Sequence, residues 1–368
     1  MLLDKVNGIR IVDNNYRVNG TRIVSKEKDL ELERQLKLIN KPPVKSIRTE
    51  FGHIVDCVDI NKQLAFDHPL LKDHKIQRRP RFSHRTTKNV GPSQTRPSMI
   101  GLVKDACPSG TVPIRRTTKE NLIAIRSFSN NIHPQTEVAP GVHRAVIQTS
   151  KNEAATYTGV KGNINVYNPE VKEGDSYAQI YVMKGPEDDS NSITTGWVTD
   201  GYKKTGCFNT NCPGFVQVSR RIYPGAILTN VSTSGGPQFE IAVSIDQLTD
   251  GNWWVSFGDE LIGYFPATIL FNNFNEPEIV GWGGVAVGPP NRMSPPMGSG
   301  LFPDGSYKQA CSFRQVQYTD NTGNLNVPRE FQYIIDNKSC YDLKNDGYHG
   351  EYMGYAFKFG GPGGECGN

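Results

Sequence analysis

A chain of 368 residues with 37 glycines, 24 prolines and no long apolar periodic runs is not a mainly helical protein. No apolar stretch is long enough to cross a bilayer, so we expect a soluble protein with no membrane partner. The net charge of +4 is uneven: residues 1–90 hold 19 Lys and Arg against 11 Asp and Glu, and residues 91–368 hold 22 against 26. No recognition helix or aromatic-laced motif accompanies the basic cluster at 75–88, which argues against a nucleic-acid partner.

The predicted elements begin with strand-like alternation over residues 1–24. Residues 25–40 predict a short helix, because Ser25 can cap its first turn and leucines recur at helical spacing. The prolines at 42–43 end this helix, since proline has no backbone N–H to donate. Short extended pieces follow over residues 44–72.

The chain as a whole divides into three predicted parts. Residues 1–90 form a small mixed N-terminal segment, and residues 91–140 form a basic linker rich in Pro and Ser, which is where a protease would cut. Over residues 141–368, β-branched and aromatic residues alternate with polar ones in short runs separated by Gly, Asn and Pro. This pattern predicts an all-β domain, an antiparallel two-sheet β-sandwich.

The seven cysteines indicate disulfide chemistry. Cys207 and Cys212 lie close together without a nearby histidine, so we expect a small disulfide loop and not a zinc site. Cys366 could tie the glycine-rich tail to Cys340. The odd count leaves at least one further thiol, and disulfides indicate an oxidising compartment.

Glycosylation sequons agree weakly with secretion, although the first residues contain no recognisable signal peptide. The sequons lie at Asn19, Asn230 and Asn337.

No cofactor is indicated by the motifs of the chain. A phosphate-binding loop, a dinucleotide fingerprint, a nucleophile elbow and a zinc-protease helix are all missing from the sequence. His68 and His74 could offer two ligands to a metal, but a solvated turn is the favoured interpretation, and we expect no metal site. Six of the seven histidines precede residue 145, which argues against a histidine-based triad in the sandwich.

Aromatic residues are dense in the predicted sandwich and have two interpretations. They could form the core, which is favoured for each tryptophan alone, or line a cleft that stacks on proline rings or sugars. Trp253 and Trp254 are adjacent in a strand and point to opposite faces, so one is expected in the core and the other available. The cleft candidates are Trp197, Trp254, Tyr264 and Trp282.

Carboxylates near the strands are the remaining catalytic candidates. Two carboxylates in one cleft can hydrolyse a peptide, since one keeps a proton as acid and the other activates water. The sequence brings no two of them together except Asp259 and Glu260, which would alternate faces. Solvated positions at strand edges are favoured for all four, which are Glu240, Asp259, Glu260 and Glu278.

Four long motifs of the chain are distinctive. They are "DCVDINKQLAFDHPLLKDH", "CPSGTVPIRRTTKENL", "YKKTGCFNTNCPGFVQVS" and "GNWWVSFGDELIGYFPATIL". The first two resemble the activation peptide of the plant neprosin family, and the last two resemble its main domain, in the same order. The resemblance covers most of the chain. It implies a secreted glutamic peptidase that cleaves after proline, folded as a β-sandwich with a cleft that the N-terminal segment covers and inhibits.

The resemblance also implies two disulfides, Cys207 with Cys212 and Cys340 with Cys366. Cys57 and Cys107 fall in the activation-peptide region. Cys311 has no counterpart in the family and is the expected odd thiol.

The resemblance fails at the catalytic acids. The first family glutamate lies in a stretch like S-I-E-A-G-W, which is "SITTGW" here and places Thr194 at the acid position. The second motif, like I-V-E-W-G-G-E, is "IVGWGGV" here, so Gly281 and Val285 replace its acids. Each acid–base group contributes roughly 10²–10⁴ to a rate, so we expect little peptidase activity by this mechanism.

The chain is also shorter than the family pattern after Trp197, where "GWVTDGYKKTGC" joins two motifs directly. A genuine deletion and a lost exon segment would give the same sequence. The favoured hypothesis is an inactive neprosin-like protein that keeps a cleft for proline-containing peptides or glycans. The alternatives are an active prolyl endopeptidase with relocated acids, of which Glu278 and Glu240 are the best candidates, and a mis-spliced product.

Overall fold

The structure is a computed structural model, and it describes most of the chain. The predicted strand at residues 1–24 and Asn19 lie outside the described residues. The described residues are 26–80, 101–102, 106–122, 140–150, 156–185, 191–194, 197–199, 205–207, 210, 213–269, 274, 276–289 and 291–367.

The N-terminal part contains one helix and a small antiparallel sheet. Helix α1 (Lys26–Ile39) confirms the predicted helix. Strands β1 (Pro43–Arg48), β2 (Ile54–Asp59) and β3 (Thr111–Arg115) form a sheet in the order β1-β2-β3. Strand β3 lies within the predicted linker, which is therefore not irregular throughout. Pro113 sits in this edge strand, a place where proline is tolerated.

Two large sheets contain the remaining strands of the described residues, and a short helix α2 (Gly350–Met353) precedes the last strand. One has seven strands in the order β17-β4-β14-β6-β7-β8-β9, and the other has the path β10-β13-β12-β11-β5-β15-β19-β18 with β16 paired to β15. All the pairings are antiparallel. The strands of the seven-stranded sheet are β4 (Val142–Thr149), β6 (Asp175–Lys184), β7 (Asn191–Thr194), β8 (Trp197–Thr199), β9 (Thr205–Cys207), β14 (Ile279–Val287) and β17 (Phe331–Ile335). The strands of the other sheet are β5 (Tyr157–Asn165), β10 (Val216–Gln217), β11 (Glu240–Gln247), β12 (Trp253–Phe257), β13 (Glu260–Phe265), β15 (Cys311–Asp320), β16 (Leu325–Asn326), β18 (Asp342–Tyr348) and β19 (Tyr355–Gly360).

The hydrophobic core lies between the two large sheets, and this confirms the all-β antiparallel fold. Because side chains alternate along a strand, each strand gives one face to this core. Ile147, Ile180 and Trp282 of the seven-stranded sheet belong to the same buried cluster as Ile164 and Ile245 of the other sheet. The short alternating runs of the sequence therefore predict the architecture correctly.

Two disulfides are present among the described residues. The pair Cys340–Cys366 confirms the prediction. The pair Cys57–Cys107 was not predicted, and it ties β2 to the stretch before β3. The side chains of Cys207 and Cys212 lie outside the described residues.

Cys311 is a buried thiol, and its Sγ lies 3.2 Å from the carbonyl oxygen of Asn165. None of the described helices has the length and hydrophobicity needed to span a bilayer.

Candidate active-site row

Thr194 and Gly281, where the sequence resemblance leads us to expect acids, lie in one row across the seven-stranded sheet. Thr194 of β7 pairs with Tyr181 of β6, which pairs with Gly281 of β14. Gly281 pairs in turn with Gln148 of β4, and Gln148 with Gln332 of β17. Residues directly opposite one another in antiparallel strands share a face, so these five positions form a row on the outer face of the sheet. We call this the 194–332 row.

The row places Thr194 and Gly281 where two carboxylates could cooperate. They are two strands apart, which separates their Cα atoms by about 10 Å. Glutamate side chains at both positions would reach toward each other over the residue between them. Val285 lies on the same face, four residues further along β14 and thus about 13 Å from Gly281.

Tyr181 occupies the space that a side chain at residue 281 would need. A Cβ atom built on Gly281 would overlap the Cζ and Oη atoms of Tyr181. The Tyr181 side chain is fully buried and packs with Val146 and Met183 on this face. The glycine at 281 is therefore explained by a close approach of the neighbouring ring, and the position has no room for an acid in this arrangement.

A hydrogen-bonded chain connects three members of the row. The hydroxyl of Tyr181 donates to Oε1 of Gln148 (2.7 Å), and Nε2 of Gln148 donates to Oε1 of Gln332 (2.8 Å). Burial raises the pKa of the Tyr181 phenol, so this group stays a neutral donor. Thr, Gly and Gln do not titrate, and the five residues of the row therefore offer no general acid or base near neutral pH.

An ion pair also lies on this face of the sheet. Arg144 of β4 donates from Nε and Nη2 to the carboxylate of Asp336, at 2.8 and 2.9 Å. Both partners are almost completely buried. Because the carboxylate is engaged by this bidentate contact, Asp336 is held as the partner of the arginine.

Three of the four predicted cleft aromatics are buried, and the prediction that one adjacent tryptophan is available is wrong. Trp282 faces the core and donates from Nε1 to the carbonyl oxygen of Lys161 (2.9 Å). Trp253 and Trp254 do point to opposite faces, yet both are fully buried. The side chain of Trp197 lies outside the described residues.

The N-terminal segment buries Trp254 and Tyr264, whose ring centroids are 4.5 Å apart. Both rings belong to a cluster with Ala65 and Leu71 on the outer face of the sheet that contains β12 and β13. The hydroxyl of Tyr264 lies 2.8 Å from Nε2 of His74 and accepts from the backbone N–H of Gln77 (2.9 Å). Burial raises the pKa of Tyr264 to about 12. A sequence pattern could not reveal this, because the covering residues lie nearly 200 positions away.

A second contact joins the N-terminal segment to the sandwich. Oε1 of Gln63 accepts from the backbone N–H of Gln217 (2.8 Å), and its Nε2 donates to the carbonyl oxygen of the same residue (3.1 Å). Nε2 of Gln217 donates to the carbonyl oxygen of Pro113 in β3 (2.7 Å). Since the side chains of Gln63 and Gln217 are buried, this contact lies in the protein interior and not at the solvent-exposed surface.

The four candidate carboxylates are not assembled into a pair with the row. Glu240 forms an ion pair with Arg314, and Glu260 with Arg221. Asp259 is exposed in the turn between β12 and β13. Glu278 is exposed just before β14, and its backbone N–H donates to the carbonyl oxygen of Met183.

Each of the two histidines considered as metal ligands has a partner within the protein. Nδ1 of His68 accepts from the backbone N–H of Leu70, and His74 contacts Tyr264.

The two described sequons differ in accessibility. Asn230 is exposed. The side-chain amide of Asn337 donates to the carbonyl oxygen of Cys366, so a glycan there would displace this bond.

Tyr181, Gln148 and Gln332 are the site residues that the sequence did not suggest. Each looks like an ordinary strand residue, and only the register of β4, β6, β14 and β17 brings them together. No local pattern carries that register.

Comparison with known protein families covers both parts of the chain. Residues 179–362 match the family described as Neprosin. Residues 46–158 match the family described as Neprosin activation peptide, a match that runs from β1 into β5. The first match alone spans half of the chain and contains Tyr181, Thr194, Gly281 and Gln332. The chain belongs to the neprosin family.

Proposed function

We propose that this protein is a member of the neprosin family that binds peptides and does not hydrolyse them by a pair of carboxylates. The observation that carries the proposal is the 194–332 row. It holds threonine and glycine at the two acid positions, and Tyr181 fills the space above Gly281. Without an acid and a base in this row, the proton transfers of peptide hydrolysis have no donor and no acceptor there.

The proposed ligand is a proline-containing peptide in extended form, with a glycan as the second candidate. Gln332 is exposed at one end of the row, in β17, which is the edge strand of the seven-stranded sheet. An edge strand offers unpaired backbone groups to an extended chain. The adjacent Tyr333 points to the other face of the same edge strand, is also exposed, and provides an aromatic surface of the kind that stacks on proline rings or sugars.

Secretion and self-covering are further parts of the proposal. The disulfides Cys57–Cys107 and Cys340–Cys366 fit an oxidising compartment. Among the described residues, the N-terminal segment covers the Trp254–Tyr264 pair, and we propose that it shields this aromatic surface until it is released.

The alternative is an active peptidase with relocated acids. The observation that favours it is the position of Glu278, exposed and only three residues before Gly281. Glu240 is less suited, because Arg314 engages its carboxylate.

The test is cleavage of a fluorogenic proline-containing peptide by the full chain after acid treatment, at about pH 2–5, where carboxylate pairs operate. Our proposal predicts no turnover above the blank, and saturable binding of the same peptide. If turnover is observed and Glu278→Gln abolishes it, the alternative is correct. Turnover that survives both Glu278→Gln and Glu240→Gln would overturn both hypotheses.

A further inference from the structure

An apolar cavity lies between the two large sheets and is distinct from the 194–332 row. Its volume is about 80 Å³. Ile164, Ile241 and Val243 line it from one sheet, and Ala178 and Ile180 from the other. Ile180 and Tyr181 point to opposite faces of β6, so the cavity and the row lie on opposite sides of the seven-stranded sheet.

The lining of the cavity selects an uncharged ligand. None of the described residues that line it is Asp, Glu, Lys, Arg or His. A charged group would lose its hydration there without gaining a partner, which costs free energy. The transfer of an apolar group from water into the cavity is favourable. The Sγ atom of Cys311, which also lines the cavity, lies near the carbonyl oxygen of Asn165.

The size and the opening of the cavity permit a small ligand to enter. The volume of about 80 Å³ is several times the roughly 10–15 Å³ that a water needs and about half the ~150 Å³ of an engineered apolar cavity that binds benzene, so a ring-sized ligand would fill the cavity and extend into its opening. Several residues of its lining, Ala178 and Tyr167 among them, are half-buried, so the cavity reaches the protein surface.

We propose that this cavity binds a small neutral apolar molecule, such as an aliphatic chain or a single aromatic ring. The ligand would sit between the sheets, against Ile180 on one side and Val243 on the other. This site does not depend on the proposed function, because it uses the inner face of β6 and none of the residues of the row.

The probe is toluene, titrated into the full chain by calorimetry. A second readout is the modification of Cys311 by methyl methanethiosulfonate, followed by peptide mass spectrometry. We expect saturable heat, and at a toluene concentration ten times its Kd the modification of Cys311 should slow about tenfold, since about one molecule in ten remains unoccupied.

Two variants locate the site. Ala178→Leu places extra carbons in the cavity and should weaken toluene binding at least tenfold. Ala242→Leu, a matched change on the opposite face of β11, should leave binding unchanged. If Ala178→Leu fails to fold by circular dichroism, Val255→Phe fills the cavity from the other sheet and takes its place.

The proposal is overturned if the natural protein gives neither saturable heat nor slower modification of Cys311. It is also overturned if a folded Ala178→Leu or Val255→Phe variant binds toluene as tightly as the natural protein. If the natural protein binds toluene but does not bind the proline-containing peptide, the proposed function is contradicted and the cavity proposal is supported.

Discussion

Gly281 affects both the packing of the sheet and the chemistry available on its outer face. Its missing side chain lets the Tyr181 ring lie over the strand, and the same absence leaves this position without an ionisable group. At the level of single residues, the lack of an ionisable group at position 281 and the buried contact with Tyr181 therefore have the same structural cause.

The first prediction concerns Gly281→Ala. The added Cβ would overlap the buried Tyr181 ring, so the free energy of unfolding should fall by about 1–3 kcal/mol, the usual cost of overpacking. Urea denaturation measures the change. Gly162→Ala is the control, because a Cβ there would meet its nearest neighbour, Trp282, at an ordinary 3.4 Å. Equal effects of the two substitutions would refute the account of Tyr181.

The second prediction concerns the hydroxyl of Tyr181. Tyr181→Phe leaves Oε1 of Gln148 without its donor in a buried place, which should cost about 1–3 kcal/mol of unfolding free energy. Tyr333→Phe removes a hydroxyl that accepts from Asn345 at an exposed position, and it should change stability much less. Thermal unfolding of the two variants provides the comparison, and a neutral Tyr181→Phe would mean that the chain of hydrogen bonds does not stabilise the row.

At the scale of elements, the N-terminal sheet is part of the protein core. Val55 and Cys57 of β2 belong to the same buried cluster as Ile164 and Trp253 of the sandwich. Nε and Nη2 of Arg220 donate to the carbonyl oxygen of Cys107. The segment is therefore held by packing and hydrogen bonds.

The third prediction concerns the Cys57–Cys107 disulfide. It closes a loop with a sequence separation of 50, and its removal should lower the free energy of unfolding by about 2–4 kcal/mol. The double substitution Cys57→Ala and Cys107→Ala, studied by urea denaturation, tests this. No change in the midpoint would show that strand pairing and packing fix β2 against β3 without the disulfide.

The fourth prediction concerns acid release of the N-terminal segment. Burial lowers the pKa values of His53, His68 and His74 in the docked state. A released histidine has a pKa of about 6.5. The favourable free energy that the neutral histidines contribute to docking is therefore fully present above that pH, and it decreases as the pH falls below it.

Hydrogen exchange of a peptide covering residues 63–77, corrected for the intrinsic effect of pH, should therefore quicken below about pH 6.5. His74→Gln should reduce this pH dependence, because its contact with Tyr264 then no longer titrates. Exchange that is independent of pH between 7.5 and 5 would contradict the prediction.

At the scale of the whole molecule, alternation predicts the sandwich but not the identity of its buried faces. The runs around Trp253 and Trp282 correctly indicate strands, because strand periodicity is local. Burial of Trp254 and Tyr264 is not predictable in this way, since residues 64–77 supply the cover. The partner of Cys57 is likewise set by the fold and not by spacing.

The residues of the candidate site could likewise be predicted only in part from the sequence. Family motifs single out Thr194 and Gly281 from sequence, whereas Tyr181 and Gln148 enter the row only through strand register. Register arises from the packing of whole sheets, so a one-residue slip of β6 would move Tyr181 to the core face.

The most direct test of the central claim compares the natural protein with the variant Thr194→Glu, Gly281→Glu and Tyr181→Ala in the proline-peptide cleavage assay. The third substitution frees the space that Glu at 281 needs. We predict that the natural protein stays at the level of the blank and that the triple variant cleaves above it, with activity confined to acid pH. Cleavage above the blank by the natural protein would contradict the claim that the 194–332 row has lost its chemistry.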